Sequence, residues 1–165
     1  MTRPPPRGFP EAEHRARLAL AQAAMAAEDL DALLLTTEPE IRWITGFLTR
    51  FWESPTRPWF LVVPAHGDPV AVIPSIGAEL MRATWIRDVR TWSSPDYADD
   101  GISLLAATLA ERTPPDARIG APMGRESLLR MPLADWHVLS ERIGRRRFRD
   151  DHGLMRALRM VKSEA

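Results

Sequence analysis

The chain has 165 residues, 45% hydrophobic and 27% charged, enough for the core of one folded domain and too apolar for a disordered one. Its 22 basic and 22 acidic side chains cancel, so no global field draws in nucleic acid or an anionic membrane, and neither is expected as a partner. The absence of cysteine excludes disulfides, thiolate metal sites and a cysteine nucleophile, and fits a reduced, cytoplasmic setting.

The N-terminus carries arginines without the apolar run of a signal peptide, and no stretch approaches the roughly 20 apolar residues of a membrane span. Residues 1–11, with four prolines in the first ten positions, read as an extended arm. From Glu11 to about Asp29, Leu18, Ala21, Met25 and Glu28 recur at spacings of three and four, which predicts a helix with a narrow inner stripe. The apolar run Asp31–Thr36 predicts a strand buried on both faces. Thr37-Glu-Pro-Glu40 reads as a helix start, with Ile41, Trp43, Ile44 and Phe47 as its inner side and a stop near Gly46.

Trp59–Pro64 and Pro69–Pro74 are β-rich runs joined by Ala65-His-Gly-Asp68, which predicts an antiparallel hairpin and hence a mixed sheet. Helices are predicted at Ile76–Thr84, Gly101–Arg112 and Leu133–Ile143, and short strands at Val89–Trp92, Arg118–Ala121 and Arg147–Asp150, the last at an edge. Asp150 or Asp151 is expected to cap a closing helix whose inner positions are Leu154, Leu158 and Val161. Ser163-Glu164-Ala165 then reads as the cap and first turn of another helix, which points to a domain boundary there. The expected fold is α/β, a three-layer domain with a mixed sheet of five or six strands flanked by helices.

Candidate chemistry is sparse. The histidines at 14, 66, 137 and 152 lie in separate elements without ligand spacing and are expected in surface or capping roles. Asp99-Asp100 and Asp150-Asp151 could attract a cation, but each pair precedes a helix, where acids cap. The glycines at 120 and 124 lack the spacing and the Gly-Lys-Ser/Thr of a phosphate-binding loop. Five arginines between Arg142 and Arg149 suggest nucleic acid, but the flanking acids and the helix end favour a solvated face or salt bridges.

The connection Gly46–Pro58 is unusual in holding Phe51, Trp52, Arg50 and Arg57 where loops commonly carry small polar residues. Aromatics and arginines concentrate binding energy at interfaces, so it reads as a contact surface. The alternative is that Phe51 and Trp52 pack on their own domain while the arginines face solvent.

Four stretches together resemble the N-terminal domain shared by creatinase, prolidase and Xaa-Pro aminopeptidases, over about residues 12–165. They are Leu30–Leu35 leading to Ile41-Arg-Trp-Ile-Thr-Gly-Phe47, the hairpin 59–74, the turn Ile119-Gly-Ala-Pro-Met-Gly124, and Leu158-Arg-Met-Val-Lys-Ser163. Glu40 and Trp43 depart from the asparagine and tyrosine often found there. The resemblance implies a ribonuclease H-like domain over 12–162, with 163–165 beginning a catalytic "pita-bread" domain. That domain would hold two divalent ions (Mn, Zn or Co) through two Asp, one His and two Glu beyond Ala165, leaving this part with no cofactor and no catalytic residue. It further implies a homodimer in which Phe51, Trp52, Arg57 and more weakly Arg50 reach the partner's pocket for a small peptide or small-molecule substrate. The rival reading is a stand-alone module binding peptide or, through Arg142–Arg149, nucleic acid.

Overall fold

A computed structural model describes residues 8–54 and 56–163. Apolar strands alternate their side chains between two helical layers, and that alternation builds the domain. In β1 (Ala32–Leu35), Leu33 and Leu35 enter one core while Ala32 and Leu34 enter the other. The same division holds in β2 (Phe60–Pro64), with Leu61 and Val63 against Phe60 and Val62, and in β3 (Val70–Pro74), with Ala71 and Ile73 against Val70 and Val72. Continuous apolar runs thus read as strands covered on both faces.

The first layer is built by α1 (Glu11–Ala27), α2 (Glu38–Thr45), α3 (Ala78–Arg82) and α6 (Leu154–Met160), through residues such as Leu18, Met25, Ile41, Met81 and Met155. The second is built by α4 (Ile102–Arg112) and α5 (Leu133–Arg142), through Leu105, Leu109 and Leu139. The remaining strands are β4 (Asp88–Trp92), β5 (Arg118–Ala121) and β6 (Arg147–Asp150). The six-stranded sheet runs β4-β3-β2-β1-β5-β6, antiparallel at β1/β2 and β2/β3 and parallel elsewhere. It is the mixed three-layer α/β architecture expected from the sequence.

Both sheet edges carry charge. On β4, Arg90 pairs with Asp88 at 2.9 Å and with Glu111 of α4 at 2.7 Å. On β6, Arg147 and Arg149 are exposed.

Several expectations need correction. Helix α1 stops at Ala27 because Asp29 turns left-handed at φ 58 and the Leu30 amide bonds to the Met25 carbonyl at 2.9 Å, a closure in which aspartate stands where glycine is usual. Glu28 is therefore exposed and off the stripe, whereas His14 is buried on it and is no surface histidine. Trp43 sits half-buried at the rim, its ring facing Arg17 at 5.5 Å. The helix expected over 76–84 is a 3-10 turn, Ser75–Gly77, followed by α3. The backbone passes so close under Trp59 that a Cβ at Gly77 would lie 2.3 Å from its ring. In α6 Leu154 and Met155 are buried and Leu158 packs half-buried on the same core, whereas Val161 lies past the helix end and is 77% exposed.

Residues 1–7 of the arm and the helix start expected at 164–165 lie outside the described residues. Of the described arm, Phe9 packs beneath Arg17 at 4.2 Å. No helix among the described residues is long and apolar enough to cross a membrane.

His14 ties α1 to α2. Its Nδ1 lies 3.3 Å from the Trp43 carbonyl, and its ring rests where a side chain on Gly46 would fall, 2.9 Å from Nε2. Burial, with Arg17 nearby, pushes its pKa below the ordinary value. The unfolded chain binds this proton below about pH 6.5 and the folded one resists it, so stability falls as pH drops through that value. Calorimetry should show Tm falling from pH 7.5 to 5.5, and less steeply in His14→Gln.

Candidate functional site

The segment following α2 is shaped by three short-range devices. Gly46 ends the helix at φ 75, its amide bonded to the Arg42 carbonyl at 2.8 Å. The Thr45 hydroxyl donates to the Ile41 carbonyl at 2.7 Å and accepts from the Phe47 amide at 2.9 Å, turning the chain so that Phe47 enters the core. The Thr49 hydroxyl then accepts from the Phe51 amide at 3.3 Å and opens a 3-10 helix, Arg50–Glu53. The connection is therefore partly helical, where the sequence suggested an unbroken loop.

The expected site residues divide by role. Phe51 and Trp52 are half-buried and pack on their own domain, with ring centroids 6.4 and 5.6 Å from fully buried Trp59, and Trp52 meets Phe47 at 6.1 Å. These separations suit offset and edge-on aromatic contacts. Arg57 is half-buried, its guanidinium 5.7 Å from the Phe51 ring, while Arg50 is exposed beside Leu48, which is 57% exposed. The segment thus brings all four residues onto one short stretch, aromatics inward and Arg50 outward.

Arg130, which sequence reasoning did not single out, holds this stretch in place. Its guanidinium donates to the carbonyls of Arg57 and Ser54 and to that of Trp52 at 3.4 Å, and it stacks 5.4 Å from the Trp52 ring. Its own amide donates to the Thr36 hydroxyl at 2.9 Å, anchoring the β5–α5 connection beside β1. A planar, five-donor fork can span several separated carbonyls at once, whereas an ammonium gathers its three donors at one point. No local periodicity marks Arg130, because the groups it serves lie more than 70 residues earlier. The indole Nε1 atoms of Trp52 and Trp59 are buried without a hydrogen-bond partner among the described residues.

Other candidate groups have structural occupations. Asp99 accepts from the Ser103 amide at 3.0 Å at the start of α4 and pairs with Arg142 at 2.8 Å, whereas Asp100 receives the Trp92 indole N–H at 3.1 Å. Asp151 caps α6 by accepting from the Gly153 and Met155 amides at 3.0 and 3.1 Å. Asp150 does not cap; it accepts from the Met123 and Gly124 amides at 3.2 and 3.0 Å, occupying donors that a phosphate would need. Arg146 closes the end of α4 by donating to the Ala110 and Thr113 carbonyls, and Arg147 turns back to the Gly144 carbonyl. Among the described residues no group of three or more His, Asp or Glu side chains is placed to hold a metal ion.

The sheet order and the two helical layers define a three-layer α/β domain with a mixed sheet, bearing a pinned aromatic and arginine segment. The family model of the creatinase/prolidase N-terminal domain matches residues 17–161, and the chain belongs to that family. Among solved structures it is similar to the dipeptidase PepE from Mycobacterium ulcerans, at 27% identity and a TM-score of 0.69 over 94% of this chain and 39% of that one. A prolidase from Thermococcus sibiricus shares the fold at 16% identity and TM-score 0.75, over 95% of this chain and 39% of that one. The creatinase/prolidase N-terminal domain of an X-Pro dipeptidase from Streptococcus pyogenes, at 17% identity and TM-score 0.66, is matched over 86% of this chain and 98% of its own. The chain thus spans 39% of the length of the dipeptidase and of the prolidase. No curated protein sequence matches it.

Proposed function

We propose that this domain is the non-catalytic N-terminal part of a Xaa-Pro peptidase- or prolidase-like metallohydrolase, and that its segment 46–58 contributes dimer contacts and one wall of the partner subunit's substrate pocket. The carrying observation is the Arg130 clamp: a surface segment rich in Trp, Phe and Arg is held rigid by a buried aromatic cluster and a guanidinium fork. Such preorganisation suits a wall that must present side chains without an ordering cost on each encounter. In this reading Trp52 and Phe51 exclude water, and Arg57 or Arg50 pairs with a substrate carboxylate. Catalysis and its paired divalent ions (Mn, Zn or Co) belong to a C-terminal domain of the parent.

In the full-length parent, Trp52→Ala should raise KM or lower kcat for a Xaa-Pro dipeptide about tenfold with metal content unchanged. Unaltered kinetics would reject the pocket role. Hydrolysis of Ala-Pro by the 165-residue chain with added Mn²⁺ would reject the assignment of catalysis elsewhere.

A further inference from the structure

A groove of about 1190 Å³ lies on the outer side of the first helical layer, walled by α1, α2, the end of α3, and the last turn of α6 with Val161-Lys162-Ser163. Leu20, Leu48, Leu80 and Val161 line it, each at least half exposed, with Phe9 and Trp43 beside them. Exposed apolar side chains are ordinary when scattered; four large ones converging from separate elements on one groove mark a contact surface.

The inner polar groups of the groove are already engaged. Arg17 pairs with Glu13 at 3.0 Å and donates to the Trp43 carbonyl at 3.2 Å, which His14 Nδ1 also meets. The Thr84 hydroxyl donates to the Met81 carbonyl at 2.7 Å. An apolar surface can therefore be laid on this floor without stranding a donor or an acceptor. The rim is basic. Arg42 and Lys162 are exposed, with Glu38 no nearer to Arg42 than 3.7 Å, and Glu13, the one carboxylate among the lining residues, is spent on Arg17.

Shape limits the occupant further. The volume exceeds the roughly 300–1,000 Å³ of small-molecule sites. No strand contributes to the walls, so an added strand would find no ladder to extend. A helix about 10 Å across fills about 80 Å³ per ångström of length, so the groove takes about 15 Å of helix, or about three turns. The wall formed by Val161, Lys162 and Ser163 lies at the close of the family match, 17–161. In the dipeptidase and the prolidase the matched part is 39% of the chain, so most of such a chain lies outside this domain.

We propose that the groove seats an amphipathic helix from the C-terminal domain of the parent, with its apolar ridge on Leu20, Leu48 and Leu80 and its acidic side chains against Arg42 and Lys162. The inference rests on the reading of this chain as the N-terminal part of a longer enzyme. The surface is not the substrate-facing wall, and shares only Gly46 and Leu48 with the segment 46–58.

Because the chain has no cysteine, Leu20→Cys and Leu80→Cys each place a single reporter in the groove, and Leu133→Cys places a control on α5, where the side chain is 70% exposed. Maleimide labelling, resolved by peptide mass, should be at least tenfold slower at 20 and 80 in the full-length parent than in the 165-residue chain, with 133 alike in both. A synthetic helix with a leucine ridge at i, i+3, i+4 and i+7 and flanking glutamates should bind the 165-residue chain at least tenfold more tightly than the same helix with flanking lysines. Leu20→Glu should weaken that binding at least tenfold with Tm retained. The proposal is overturned if 20 and 80 label equally fast in both proteins, or if their protection in the parent is lost on dilution to the monomer. It is equally overturned if the 165-residue chain protects them by self-association, or if the lysine helix binds as well as the glutamate one. The Trp52→Ala kinetics that read the pocket wall enter none of these outcomes, so either reading can fail alone.

Discussion

Trp59→Ala should lower the unfolding free energy by about 3–5 kcal/mol, the range for truncating a buried tryptophan. Trp59 has no exposed surface and is the ring on which Phe47, Phe51 and Trp52 converge. On its far side it rests on Gly77, so the cavity has backbone as well as side chains for walls and cannot collapse by rotamer changes alone. With an m-value of about 2 kcal/mol per molar urea, the unfolding midpoint should drop by roughly 2 M. Trp59→Phe should cost much less, because it keeps most of the ring volume and removes an indole N–H that has no partner among the described residues. Leu20→Ala, at a leucine of α1 that is 57% exposed, should stay within about 0.5 kcal/mol. If Trp59→Ala matched that small cost, the convergence on Trp59 would not be what holds the segment down.

Arg130→Ala should act locally. Three carbonyls lose a charged donor and Trp52 loses its stacked cation, while the two-sided core is untouched. A loss of about 2 kcal/mol from the segment corresponds to roughly thirtyfold more frequent opening of 46–58, readable as faster hydrogen exchange and proteolysis confined there. Arg130→Lys should recover little, since an ammonium cannot span the same carbonyls. An exchange pattern unchanged in Arg130→Ala would show that the aromatic contacts suffice alone.

These two residues also mark where the sequence could and could not be read. Strands β1, β2 and β3 were legible because an unbroken apolar run long enough for one strand has few other folded solutions, and the Gly67-containing connection forced the hairpin. The stop of α2 at Gly46 was legible for the same local reason. The end of α1 was not, because its left-handed residue is Asp29, a type that sequence statistics do not reserve for that conformation. His14 looked superficial because its burial depends on Gly46 lacking a side chain, a fact that lives in the approach of two helices. At the segment 46–58 the composition exposed Phe51, Trp52, Arg50 and Arg57, but not the helical turn, and not Arg130. Long-range donors to backbone carbonyls leave no trace in periodicity.

The charged borders of the sheet have a consequence for the protein in concentrated solution. A strand with an open edge is a template for another chain, and long, flat, apolar edges invite fibril-like stacking. Here β4 offers Arg90 already engaged by Asp88 and Glu111, and β6 is four residues long with Arg147 and Arg149 projecting outward. Any second molecule laying a strand there must strip water from guanidinium groups or break an existing ion pair. The most apolar strands, β1 to β3, are thereby kept in the middle of the sheet, shielded from lateral recruitment by neighbours that water holds in place.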